Sequence, residues 1–194
     1  MTTIMDQLLQ QLSGGGLSQI SQQIGADESA TGSALSMAMP LLVSALANNS
    51  AKPEGAQALH QALSNDHNGD ILNAIPSFLE NPQAANGAGI LNHVLGDQQP
   101  VVAEGMAQSS GLNSNQTSQL LQIVAPLVMG YLGQQQQTQG LDPNDLASLL
   151  GNQQQAAQQA NPDMMSLLNQ MLDKNQNGTA LDDVWGLLRR LVGR

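Results

Sequence analysis

Near the C-terminus, Asp173-Lys174-Asn175-Gln176-Asn177-Gly178 sets oxygen-bearing side chains at alternate positions ahead of a glycine. That is the opening of a calcium loop, in which the chain folds sharply at the glycine and brings alternate oxygens onto one cation. The closing ligand is out of place. The twelfth position, where a bidentate Glu belongs, is Val184, and Asp182 and Asp183 come one and two residues early. Two asparagines also replace charged ligands, so Asp173, Asn175, Asn177, Asp182 and Asp183 would hold calcium weakly or in irregular geometry. The same residues make an ordinary helix start, with Asn177-Gly178 as the turn, Thr179 as the cap and Asp182 at the third helical position. The expectation is therefore no cofactor, with a calcium-responsive binding module as the alternative. Asp66-His67-Asn68-Gly69-Asp70 is a shorter and weaker version of the pattern.

Other reactive constellations are missing from the sequence. His60, His67 and His93 are its three histidines, and none has zinc-ligand spacing. There is no cysteine, no G-x-S-x-G elbow, no phosphate-binding loop and no dinucleotide fingerprint. The paired acids Asp27-Glu28 and Asp182-Asp183 stand at expected helix starts, where the helix dipole favours carboxylates without any catalytic role. A non-enzymatic protein is expected, and an enzyme with an unrecognised site is the third reading. Gln22 to Met39 has the layout of a helix-turn-helix, but residues 27–39 and 113–125 contain no Lys or Arg. Lys52 is the last permanent cation before Lys174, and the net charge is −10. A nucleic-acid role is excluded on charge, since phosphate contacts need clustered cations.

These residues have to be positioned by helices. The segment Ala34 to Leu46 returns about 86 residues later as Leu120 to Leu132, each with apolar residues at helical spacing and a proline inside. Gln22, Gly25, Thr31, Leu35, Pro40, Leu41 and Leu46 meet identical residues at Gln108, Gly111, Thr117, Leu121, Pro126, Leu127 and Leu132. Leu59 and Leu63 are echoed by Leu146 and Leu150. The pattern predicts an all-α protein of two related helical halves, 1–97 and 98–194, packed as one pseudo-symmetric bundle with a continuous core. Short helices are expected over 4–12, 17–24 and 103–110, with Gly25 and Gly111 at the turns. Asp27 and Asn113 are the expected caps of the long helices, and Gln116 should complete a capping box. An interior proline removes a helical hydrogen bond, so a kink or a fresh start is expected at Pro40 and Pro126. The stretches 48–53 and 134–140 read as polar connections, with substitutions at Gln134 to Gln137 near neutral.

The pieces Ser21-Gln22-Gln23-Ile24-Gly25, Pro40-Leu41-Leu42 and Asn86-Gly87-Ala88-Gly89-Ile90-Leu91-Asn92-His93-Val94-Leu95-Gly96 carry a resemblance, as do Ala125-Pro126-Leu127-Val128-Met129-Gly130 and the acidic segment 173–183. The chain resembles the bacterial domain of unknown function 937 family, which implies a small helical protein and carries over no catalytic residue. Hydrophobic residues make up 41% of the chain, while charged residues reach only 10% and aromatics 2%. Such a chain can bury a core of aliphatic residues beneath a surface of Gln, Asn and Ser that offers little charge repulsion between copies. The run Met37 to Leu46 is too short to span a bilayer, no basic-then-apolar leader opens the chain, and a cytoplasmic location is the expectation. At the other end, Val184, Trp185, Leu188, Leu191 and Val192 form an apolar helical face beside Arg189, Arg190 and Arg194. Trp185, Leu188, Arg189, Arg190, Leu191 and Arg194 are the expected interaction residues. The expected partner is a second copy of the chain, giving a homo-oligomer, or another protein; docking of the tail on the chain's own body, where it would close the core, is the equal alternative.

Overall fold

The computed structural model describes Leu12 and residues 15–160. The loop residues Asp173, Asn175, Asn177, Asp182 and Asp183 and the C-terminal face from Val184 to Arg194 lie outside the described residues, as does most of the helix expected over 4–12. The described chain consists of helices and turns without a strand. Its helices are α1 (Gly16–Ile24), α2 (Glu28–Ser50), α3 (Pro53–Asp66), α4 (Asp70–Asn73), α5 (Ile75–Glu80), α6 (Gly87–Leu95), α7 (Gln99–Ser110), α8 (Ser114–Gln139) and α9 (Pro143–Ala160). Short 3-10 turns cover Pro82–Ala85 and Gly96–Gln98.

Helix ends follow local chemistry. Gly25 closes α1 in the left-handed region at φ 64°, where its N–H donates to the Gln22 carbonyl and that of Ala26 to Ser21. Gly111 closes α7 at φ 80°. At the start of α8 the capping box is complete: the Gln116 N–H donates to Asn113 Oδ1 at 2.9 Å, and the Asn113 N–H donates to Gln116 Oε1 at 3.0 Å. Asp27 is the N-cap of α2, but its side chain makes no capping bond. Its carbonyl instead accepts the Thr31 hydroxyl at 2.9 Å, as the Asn113 carbonyl accepts that of Thr117 at 3.0 Å.

The two prolines do not end their helices. α2 runs through Pro40 to Ser50 and α8 runs through Pro126 to Gln139, so Asn48 to Ser50 and Gln134 to Gln139 are helical and not connections. An interior proline costs roughly 3 kcal/mol. Against this, Leu41, Leu42, Val43, Ala45 and Leu46 follow Pro40 into the core, and Leu127, Val128, Met129, Tyr131 and Leu132 follow Pro126. Each fully buried Leu or Val contributes roughly 1.5–3 kcal/mol, so continuing the buried segment outweighs the lost bond. Helices buried on nearly every side belong at the centre of a fold. α2 and α8 occupy that position and pack on each other, with α3, α6, α7 and α9 around them. Buried residues from Leu12 to Leu150 form a single apolar cluster. Among the described helices α2 is long and apolar enough to cross a membrane, yet 72% of its apolar stretch is buried inside the fold.

Close backbone approach fixes the outer helices. A Cβ at Gly133 would fall on the His67 carbonyl oxygen, and one at Gly87 on the Gln122 carbonyl oxygen. Gln122 lies four residues before Pro126, so its carbonyl is the one left without a helical donor. The start of α6 therefore packs where the proline has opened the ladder of α8.

Candidate functional site

Where α1, the Asn81–Gly87 segment and α8 meet, they leave an open groove of about 610 Å³. Its floor includes Ile24 and Ile123, both buried, one from each long-range partner helix. Its walls carry the carboxamides of Gln23, Asn81, Gln83, Asn86, Gln119 and Gln122, and Glu80 is the one charged residue in the lining. The geometry is built in. Gln23 Nε2 donates to the Leu79 carbonyl, tying α1 to α5, and Asn86 stands at φ 51°, the one positive-φ residue other than glycine among the described residues. Asparagine tolerates that conformation better than most side chains, and here it turns the chain from the 3-10 segment into α6.

A carboxamide presents both a donor and an acceptor and does not titrate. Six of them over an apolar floor can hydrogen-bond a neutral polar chain, but they supply neither a nucleophile nor an acid–base pair. Among the described residues no group of three His, Asp or Glu is placed to hold a metal ion. The Asp66 to Asp70 pattern closes on itself: Asn68 Nδ2 donates to Asp70 Oδ2 at 2.6 Å, and the Asp70 N–H donates to Asn68 Oδ1 at 3.1 Å. This is an Asx turn into α4.

The three histidines are apart in role. His60 offers its carbonyl to Ser64 Oγ at 2.9 Å and to Gln136 Nε2 at 3.3 Å. His93 is exposed in the last turn of α6. His67, half-buried after α3, has its pKa held below the ordinary imidazole value by desolvation, against the opposing pull of the Asp66 carboxylate. Gln136 also corrects the expectation that the glutamine tract is featureless. It is only 6% exposed, and its Nε2 donates to Ser64 Oγ at 2.9 Å.

The groove itself was not legible as a unit, because its carboxamides come from stretches far apart in the chain. Asn86-Gly87 entered the sequence reading through the segment 86–96 that carries the family resemblance. The available signal was compositional, a surface of Gln and Asn with few charges.

No curated protein and no solved structure matches this chain. The family model for a bacterial protein of unknown function, DUF937, matches residues 6–135. That span takes in every residue of the groove and both prolines, and stops short of the acidic segment 173–183 included in the resemblance drawn from sequence. Since the match covers more than half of the chain, the protein belongs to the DUF937 family of bacterial proteins of unknown function.

Proposed function

We propose that this is a non-enzymatic helical interaction protein that self-assembles, and that the carboxamide groove receives an uncharged, hydrogen-bond-rich polypeptide segment from a second copy. The lining of the groove carries this reading. Six carboxamides with one carboxylate suit a partner surface that is itself rich in Gln, Asn and Ser, which is the surface this chain presents. The net charge of −10 opposes association only weakly at physiological salt, where exposed charges are screened beyond about 8 Å. Two related halves, 1–97 and 98–194, underlie the architecture in this reading. Its support is the recurrence, about 86 residues apart, of a left-handed glycine, a cap, a buried threonine and a helix-interior proline.

Hydrogen–deuterium exchange at rising protein concentration tests the reading. Protection should increase at Gln83 to Gly89 and Gln119 to Ile123; a protection pattern independent of concentration, in a protein that stays monomeric, would refute it. The C-terminal residues Trp185, Leu188, Arg189, Arg190, Leu191 and Arg194 are proposed as a second contact, joining a different patch on the neighbour. A heterologous contact of that kind closes into rings or runs on as filaments. The calcium alternative rests on Asp173, Asn175, Asn177, Asp182 and Asp183. A ligand that binds only the folded form raises its melting temperature, so millimolar calcium that produces neither calorimetric heat nor a shift in Tm removes it.

A further inference from the structure

A second cavity, of about 230 Å³, opens between the end of α2, α3, α6 and α8. Its body is apolar, formed by Leu46, Leu59, Ala62, Ile90, Val94 and Met129. The polar residues of the lining are His67, His93, Asn49, Asn86 and Ser50, and it contains no Asp, Glu, Lys or Arg. Two of these polar groups are engaged: Ser50 Oγ donates to the Leu46 carbonyl, and Asn49 Nδ2 donates to the Val94 carbonyl at 3.0 Å. Gly55 keeps the cavity's near wall in place, since a Cβ there would strike the Asn49 carbonyl oxygen.

We infer that this cavity is a binding site for a small uncharged amphiphile, an apolar ring or short chain bearing one hydroxyl group, with the hydroxyl held by His67, His93 and Asn86 of the lining. Size sets the body of the ligand. A cavity of about 150 Å³ lined by aliphatic side chains accepts benzene, so 230 Å³ suits a substituted benzene or an alcohol of similar bulk. Charge sets the head. An ion entering a mostly apolar site needs an opposite charge to replace its water, and none lines this one; the desolvation that disfavours protonation of His67 acts the same way. A neutral imidazole accepts a hydrogen bond from a hydroxyl, and a carboxamide can accept one or donate one. The site is distinct from the carboxamide groove, although Asn86 belongs to the lining of both.

The test uses the full chain and 4-methylphenol, followed by NMR of the Ile90, Val94 and Met129 methyl groups. Saturable shifts with a Kd on the order of 1 mM are expected, as suits a ligand of so few atoms. Toluene should bind at least tenfold more weakly, and 4-methylbenzoate and 4-methylbenzylammonium should leave these methyls unmoved. Ala62→Leu, which fills the cavity from α3, should abolish the shifts, and Ala58→Leu, at an exposed position of α3 that also lines the cavity, provides an independent block if the first variant misfolds. The proposal is overturned if 4-methylphenol gives no saturable shift, if toluene or either ion binds as well as the phenol, or if both folded variants bind unchanged.

Discussion

At the scale of single residues, Gln136 and His67 show how little a side chain's type says about its duty. Gln136 lies in a run of four glutamines, and its neighbour Gln137 is exposed, yet Gln136 is buried and joins α8 to the end of α3 through Ser64 and the His60 carbonyl. Gln136→Ala should destabilise the fold by about 1–2 kcal/mol, the range of a lost buried hydrogen bond, while Gln137→Ala should stay within about 0.5 kcal/mol. Urea denaturation of the two variants decides, and equal effects would contradict the assignment. For His67, the folded pKa is lowered mainly by desolvation. The unfolded chain then takes up the proton more readily, so this residue's share of stability is complete above the ordinary value of 6.5 and declines as pH falls towards the lower folded pKa. His67→Asn should therefore lose less stability than the natural chain between pH 7.5 and pH 5, measured as the difference in Tm between the two proteins. No sequence pattern could separate Gln136 from Gln137, because which glutamine faces α3 depends on the rotation of α8 about its axis.

At the scale of elements, composition and periodicity located the helices better than they located the ends. The glycine turns at Gly25 and Gly111 and the box at Asn113 and Gln116 were legible because each satisfies its own backbone groups locally. The helix ends beyond Pro40 and Pro126 were not. Local chemistry argues for a break there, and burial contributed by helices distant in sequence decides otherwise. Leu42→Ala and Val128→Ala remove side chains that are each 1% exposed and should cost roughly 2 to 4 kcal/mol apiece. Gly133→Ala adds a single methyl group where the His67 carbonyl already sits, and overpacking of this kind should cost about 1–3 kcal/mol. Thermal melts of the three variants check this; a Gly133→Ala protein as stable as its parent would mean that α8 does not approach the end of α3 so closely. The carboxamide groove belongs to this scale as well, since it exists only once α1, the turn before α6 and α8 are docked.

At the scale of the whole molecule, charge and surface chemistry govern what the protein meets. Lys52 is the one Lys or Arg among the described residues, so the chain should fail to shift duplex DNA in a mobility assay at moderate salt, because there are too few cations to displace counterions. A salt-dependent shift would instead draw attention to Arg189, Arg190 and Arg194. On the same surface lies the carboxamide groove, through which we propose that the chain associates. The most direct test of that association is sedimentation velocity across a concentration series, comparing the natural chain with the double variant Gln83→Lys, Gln119→Lys. Both residues are exposed on the groove wall, so the substitutions should leave the fold intact while setting two ammonium groups against an uncharged segment that offers them no counter-charge in place of their water. The natural chain should form larger species as concentration rises, and the folded double variant should require at least tenfold more protein to do so. A natural chain that sediments as a monomer at every concentration, or a double variant that associates as readily as its parent, would contradict association through the groove.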